Sequence, residues 1–457
     1  MSKSQTLPNR NISEWVMVAI LLLATALRWL WLSAQSIAFD ESFSLVVSSA
    51  NWPNLFRAIL SDGVHPPLFY MIHKSVLALW GTSEFGQRFS AAVFSIMGVA
   101  LVYWAGRIIF DRKVGLVAAL LLALNPLHIW LAQEARMYSL FAALTIVSMT
   151  SFWLAIRRKQ RRYWVVLTVA NSLIFGLHYF GFLIPTIQFG FIILTFGYNH
   201  RNLRAWVLAQ IIAAGPLIPW LIATAQREAQ TFGIGFLVRP SVPDFFITLW
   251  NLAIGASNIF WPATLLAIIV VCLGLLMTLR PLPPHHIQLK QARQLLWLWV
   301  LLPLLITWLV SQRRSFYADR YLSFIIPGLA LLLAVGLSRL TQLHWRMGLL
   351  GGLIIASGYG FSATQLDPAF QKDNWRGVAS YISQNEQPQD VILLYTTHIK
   401  FAFDYYYQGY APSKPLSLNL ESFKIESLTA GHRRVWVVYP YTRRPTHYPP
   451  VIFSIHN

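Results

Sequence analysis

The 457-residue chain is 56% hydrophobic and only 12% charged, about half the charged share of an ordinary soluble domain. Its 29 Phe, 18 Tyr and 19 Trp exclude intrinsic disorder, and its one cysteine, Cys272, excludes an intrachain disulfide and any cysteine-rich metal site. A net charge of +19 would suggest nucleic acid in a soluble protein, but in a polytopic membrane protein it reflects Lys and Arg gathered in cytoplasmic loops, with no nucleic acid required.

The first apolar stretch, Trp15 to Leu32, is long enough to span a bilayer. No small-residue cleavage site follows it, so it reads as a retained span and not as a secretory signal. Further spans are expected near 89–109, 114–131, 139–156, 163–180, 182–197, 205–222, 261–279, 294–310, 323–338 and 347–363, eleven in all. The segment 66–81 is apolar but short, and it carries His73 and Lys74. Leu68, Ile72, Val76 and Leu79 share one helical face, which predicts a helix lying in the membrane surface. Arg28, inside the first span, is expected to face the bundle or to snorkel outward.

On that count one side collects Lys3, Arg10, Arg107, Arg112, Lys113, the run 157–162, Arg201, Arg204, Arg280, Lys290, Arg293, Arg339 and Arg346 against only Glu14 and Asp111. This bias makes that side cytoplasmic. Residue 160 is then inside, residue 420 outside, and most acids lie on the outer side of a plasma (bacterial inner) membrane. The run 157–162 reads as a topology anchor, and His285-His286 as a cytoplasmic loop without a third metal ligand. From about residue 364 the composition becomes mixed and no spanning run follows. A helix over Trp375 to Ile382 and strands over Val391 to Tyr395 and Val435 to Tyr439 predict a small α/β extracytoplasmic domain. The expected organisation is a mainly α membrane module, 1–363, with a first outer loop of about 35–88, and an α/β domain, 364–457.

Several outer segments carry chemistry-bearing residues. Asp40 and Glu41 follow the first span directly. An acid there can serve as a general base or hold a cation; the plainer alternative is a helix start, with Asp40 as cap and Glu41 in the positive first turn. Asp62-Gly63-Val64-His65-Pro66-Pro67 reads as a turn that projects His65 at the surface, toward a sugar hydroxyl or a phosphate, or as turn chemistry alone. Glu134 and Arg136 are two apart and do not share a helix face, so each needs a partner elsewhere. Glu41 is the candidate partner for Arg136, and a substrate or cation for Glu134; a snorkelling loop pair is the alternative. Arg313, Arg314 and Arg320 run against the positive-inside bias, and guanidinium forks suit a lipid-linked phosphate or anionic headgroups.

In this order the segments AFDESFS, DGVHPPLFY, EFGQRFSAAVFS, NPLHIWLAQEARMYSL and DRYLSFIIPGLAL resemble the C-fold glycosyltransferases of family 39, which include protein O-mannosyltransferases and bacterial lipid A aminoarabinose transferases. The resemblance covers roughly 14–340 and reaches the C-terminal region only through Asp373-Asn374-Trp375-Arg376. It implies an integral membrane enzyme that transfers a sugar from a polyprenyl-phosphate donor to a hydroxyl acceptor on the outer face, usually with inversion. The acceptor is a protein, a glycolipid or an envelope glycan. By the same resemblance Asp40 is the catalytic base, Glu41 shapes the site, and His65, Glu134, Arg136, Tyr138 and Arg320 bind substrate, with Arg313 and Arg314 as further phosphate candidates. A divalent cation between Glu41, Glu134 and the phosphate is compatible with it but not required.

The chemistry suits these residue types. A phosphate leaving group departs as an anion and needs positive charge, while a hydroxyl acceptor needs a base. A transporter would place its ionisable groups near mid-membrane, in matched repeats. A polysaccharide ligase or polymerase with a lipid-diphosphate donor would carry a large outer loop later in the bundle. A non-catalytic scaffold explains neither the acid pair nor the outer arginines.

Overall fold

The structure, a computed structural model, describes residues 9–198, 201–225, 237–255, 261–283, 286–367, 371–395, 399–416, 428–439 and 453–456. The helices are α1 (Asn9–Trp29), α2 (Phe39–Ser49), α3 (Trp52–Asp62), α4 (Leu68–Trp80), α5 (Glu84–Ile109), α6 (Arg112–Leu124), α7 (Pro126–Ala132), α8 (Tyr138–Arg158), α9 (Arg161–Leu177), α10 (Leu183–Phe196), α11 (Arg201–Ala214), α12 (Ile218–Ala225), α13 (Val242–Ile254), α14 (Trp261–Thr278), α15 (Ile287–Ser311), α16 (Ile326–Ser338) and α17 (Leu343–Leu366). Each of the eleven expected span positions carries helix. Among the described residues eight helical segments are long and apolar enough to cross a membrane, and the bent pair α6–α7 makes nine. Of the remaining two positions, α9 has 17 residues, and α14 is described with its side chains over Ala267–Thr278 only. The chain is an integral membrane protein.

Arg28 faces the bundle and is fully buried. Helix α6 breaks from α7 by 61°, which leaves carbonyls of its last turn without intrahelical partners. Arg28 donates to two of them, Ala123 O at 3.0 Å and Leu122 O at 3.3 Å, and also to Ser95 Oγ. The charge inside the span is therefore explained by a helix break that needs a donor. His285 lies outside the described residues, and His286 stands just before α15.

The loop 35–88 is helical through most of its length. Asn51 accepts from Asn54 N and starts α3, and Gly63 ends it in the left-handed region at φ 65°, where glycine is favoured. Helix α4 follows with Pro67 as its N-cap. Its buried residues are Phe69, Tyr70, His73 and Val76, whereas Leu79 is exposed. The inward stripe is thus rotated from the one expected: Phe69, Tyr70 and His73 are the most deeply buried, while Leu68 and Ile72 pack against the core only partly buried. Helix α13 lies between the expected spans 205–222 and 261–279, where no element is expected from the sequence. Asp244 accepts from both the backbone and the hydroxyl of Ser241, a capping arrangement with Pro243 in the first turn.

After α17 come α18 (Trp375–Asn385), β1 (Asp390–Tyr395), α19 (Lys400–Tyr406), β2 (Ser413–Leu416), β3 (Arg434–Val438) and β4 (Phe453–His456). The sheet order is β2-β1-β3-β4, with β1 parallel to β2 and β3, and β4 antiparallel to β3. Residues 391–394 are all buried, as for a parallel strand covered on both faces. Ile392, Leu394, Trp436 and Val438 pack with α18 and α19, while Val391, Leu393, Val435 and Val437 form a second core. This α/β unit docks on the loop 35–88: Phe401 packs against Phe43, Ile37 N donates to Tyr406 Oη at 2.8 Å, and Tyr405 Oη donates to Thr82 O.

Helices α14 and α16 touch backbone to backbone at Gly274 and Gly336, where an added Cβ on Gly336 would strike the Gly274 carbonyl. Gly336→Ala is expected to lower stability by about 1–3 kcal/mol, the usual cost of overpacking. Gly351→Ala, in open space, is expected to leave it unchanged or slightly higher; thermal unfolding of the two detergent-solubilised variants checks both.

Candidate active site

Glu41 accepts hydrogen bonds from four residues, Ala38, Arg88, Ala135 and Lys372. It sits in the first turn of α2, fully buried, and Arg88 of α5 pairs with it through two bonds of 2.8 and 3.0 Å. Lys372 Nζ lies 2.9 Å from its other side, while Ala135 N and Ala38 N donate to it at 2.9 and 2.8 Å. Four chain segments thus meet on one carboxylate. Burial opposes its charge, but Arg88 and Lys372 outweigh burial and hold the carboxyl well below the usual glutamate range. The capping alternative is correct for Glu41, which bonds the Ala38 amide, and not for Asp40, which stands two residues inside the helix.

The expected Glu41–Arg136 pair does not form. Arg136 Nη1 donates to Ser44 Oγ at 2.9 Å and to the Asp40 carbonyl at 3.3 Å, with its guanidinium 5.7 Å from the Phe69 ring. Glu41 also fails as a cation ligand, since two cations and two amides already occupy its oxygens. Among the described residues no three His, Cys, Asp or Glu side chains gather as a metal site.

Asp40 turns the other way, into a cavity of about 670 Å³ lined also by Asp62, His65, Tyr70, Glu134, Arg136, Arg320, Tyr321 and Lys372. Arg320 Nη1 lies 2.7 Å from Asp40 Oδ2, and both side chains keep 29% of their surface exposed. Burial opposes the Asp40 charge, but Arg320 and then Arg136 prevail and hold its carboxyl below the usual range. Arg320 stands in a 3-10 turn, Asp319–Ile325, and the residue before it is clamped: Asp319 accepts from Thr248 and Asn251 of α13, each at 2.6 Å. Helix α13 therefore fixes where Arg320 can reach.

Glu134 lines the same cavity, is 5% exposed, and its carboxylate makes no hydrogen bond among the described residues. Burial pushes its carboxyl above the usual range, against the pull of Lys372. His65 is buried instead of projecting at the surface, because the turn folds inward over α4 and its ring lies 5.1 Å from that of His178. Tyr138 is buried behind Tyr321, with no partner for its hydroxyl among the described residues. Arg313 and Arg314 are exposed and line a separate space with Leu309, Val310 and Phe316. Arg314 also borders an apolar cavity of about 580 Å³, which shares Val64, His65 and Tyr321 with the polar one.

Three residues escape the sequence reading. Arg88 stands at the start of a span, where it resembles a headgroup anchor; its companion charge is 47 residues away. Lys372 belongs to the last stretch before the α/β unit, and only the fold brings it to Glu41 and to the Gln133 carbonyl. His178 ends α9 without a local motif.

Glu41→Gln strips the counter-charge from two buried cations, and a loss of about 3–5 kcal/mol is expected. Because the folded-state carboxyl is held low, its stabilisation is present at neutral pH and is lost as pH falls below the ordinary glutamate value. The melting temperature of the wild type should therefore drop between about pH 5 and pH 3 more steeply than that of Glu41→Gln. Parallel slopes would show that Glu41 is not the paired carboxylate described above.

Residues 64–223 match the family of dolichyl-phosphate-mannose-protein mannosyltransferases. No curated protein matches the sequence. Among solved structures, ArnT from Cupriavidus metallidurans bound to undecaprenyl phosphate is similar with a TM-score of 0.61 at 14% identity, over 93% of this chain and 93% of that one. The archaeal oligosaccharyltransferase AglB from Archaeoglobus fulgidus, in complex with an inhibitory peptide and a dolichol-phosphate, gives 0.59 at 13% identity, over 95% of this chain and 70% of that one. The arabinofuranosyltransferase AftD from Mycobacteria gives 0.54 at 16% identity, over 95% of this chain and 35% of that one. By its fold the chain has the architecture of the C-fold glycosyltransferases, and its residues 64–223 carry the family match.

Proposed function

We propose that this protein transfers a sugar from a polyprenyl-phosphate donor to a hydroxyl acceptor, with inversion, on the outer face of the plasma membrane. The observation that carries the reading is the Asp40–Arg320 pair at 2.7 Å in a cavity that adjoins an apolar one. The polar cavity suits a sugar phosphate, and the apolar cavity, with Phe180, Leu221 and Phe316 in its wall, suits a prenyl chain. That ArnT was solved with undecaprenyl phosphate and AglB with a dolichol-phosphate supports a donor of this class.

In this reading the donor phosphate competes with Asp40 for Arg320. Binding of the donor draws the guanidinium to the phosphate, and Asp40 loses the charge that most depresses its basicity. The acceptor oxygen then attacks the anomeric carbon as the carbon–oxygen bond to phosphate breaks. The hydroxyl proton passes to Asp40, and polyprenyl phosphate leaves as an anion held by arginine. No second carboxylate nucleophile is needed for a single inverting displacement. Residues 1–363 form the membrane module and 364–457 an extracytoplasmic domain that supplies Lys372. Seventeen Lys and Arg against two acids on the opposite side support a cytoplasmic N-terminus.

Asp40→Asn keeps shape but removes the proton acceptor. Turnover of a polyprenyl-phosphate sugar is expected to fall by ~10²–10⁴ while donor affinity persists; near-normal turnover would end the assignment of Asp40 as base. For orientation, cysteines at 160 and 384 in a background without Cys272 test the sides. An impermeant thiol reagent applied outside is expected to label 384 and spare 160, and the opposite pattern would reverse the proposed topology.

A further inference from the structure

His178 lies between α9 and a 3-10 turn, Tyr179–Phe182, and lines the apolar cavity. Its Nδ1 accepts the Phe180 amide at 3.1 Å and caps that turn. An imidazole nitrogen that accepts carries no proton, so the proton of the neutral ring sits on Nε2. That Nε2–H is buried and has no partner among the described residues, although His178 is only 3% exposed. The ring is enclosed by Tyr321 at 5.2 Å, Phe180 at 5.3 Å and His65 at 5.1 Å, and Phe141 stacks on it at 5.7 Å. Two further buried polar atoms around it lack partners, His65 Nδ1 and Tyr138 Oη.

A buried N–H left unpaired is costly, and three orphaned polar atoms in one aromatic enclosure are unusual. The enclosure stands at the wall common to the polar and apolar cavities, formed by Val64, His65 and Tyr321. A lipid phosphate with its chain in one cavity and its sugar in the other passes this wall. We infer that His178 is a ligand of the donor lipid, its Nε2–H donating to a phosphate oxygen where the two cavities meet. The inference rests on the proposed polyprenyl-phosphate reading. A neutral donor there adds a hydrogen bond while leaving the positive charge near Asp40 to Arg320 and Arg136.

Two substitutions separate this role from capping. In His178→Asn the amide oxygen can accept from Phe180 N as Nδ1 does, but nothing occupies the Nε2 position. In His178→Gln the amide nitrogen reaches toward the Nε2 position, and the cap is lost. With undecaprenyl phosphate as probe and the full chain in detergent, His178→Asn is expected to melt like the wild type and bind about 10–100-fold more weakly, the worth of a hydrogen bond to an ionised group. His178→Gln is expected to melt lower but bind within about threefold of wild type. Wild-type affinity in His178→Asn would overturn the inference and leave the donor reading standing; wild-type protein that binds no undecaprenyl phosphate would overturn both. Should neither variant fold, a structure of the wild-type complex decides: a phosphate oxygen within hydrogen-bond distance of His178 Nε2 upholds the assignment, and one beyond it overturns it.

Discussion

The site depends on a carboxylate that takes no part in the proposed chemistry. Glu41 is buried among Arg88, Lys372 and two backbone amides, which repay the loss of water only together. Because these partners come from α5, the loop 133–137, the residue before α2 and the stretch before α18, the ion cluster sets the relative positions of four segments far apart in sequence. Asp40 is the adjacent residue on α2. Once Glu41 is locked inward, the helical turn of about 100° per residue directs Asp40 elsewhere, and here it faces the cavity. Two neighbouring acids thus acquire opposite characters from one helical step.

A similar division holds at the other end of the pair. Arg320 is a long side chain that keeps 29% of its surface exposed, and Asp319 beside it is tied to Thr248 and Asn251. The neighbouring backbone is anchored, while the guanidinium at the end of the long side chain is held by Asp40 at 2.7 Å. That combination suits a group that exchanges one anion for another, since only the side chain has to move.

Much of this was legible in the sequence, and the failures have physical causes. Apolar length located the helices of the bundle, and short continuous apolar runs located β1 and β3, because burial in lipid or between two layers leaves a one-dimensional signal. Asp40, Glu134 and Arg320 stood out as charges in the wrong place, and the structure gathers all three around one cavity. The partners did not stand out. Arg136 was matched to Glu41 because opposite charges in outer segments were the available guide, whereas the fold gives Glu41 to Arg88 and leaves Arg136 to a serine and a carbonyl. His65 was placed at the surface because a Gly-Pro-Pro turn usually is; this one folds over aromatic residues of α4. Helix α13 was missed although Ser241, Pro243 and Asp244 mark its start, because its apolar stretch is too short to register as a span. Lys372 and His178 carry no local signal at all, since each derives its meaning from residues more than a hundred positions away.

The link between Glu41 and Lys372 also orders events in time. The two residues are separated by 331 positions, and every spanning helix from α5 to α17 is synthesised between them. A ribosome that has just released Glu41 into the membrane has made one acid of a cluster whose second cation does not yet exist. Arg88 follows soon after and can neutralise the carboxylate during insertion of α5, so the early loops need not expose a bare charge while the bundle is built. Lys372 arrives after the last of these helices. The wall of the cavity is then completed late in biosynthesis, and a truncated or stalled chain lacks the lysine that closes the site around the proposed base.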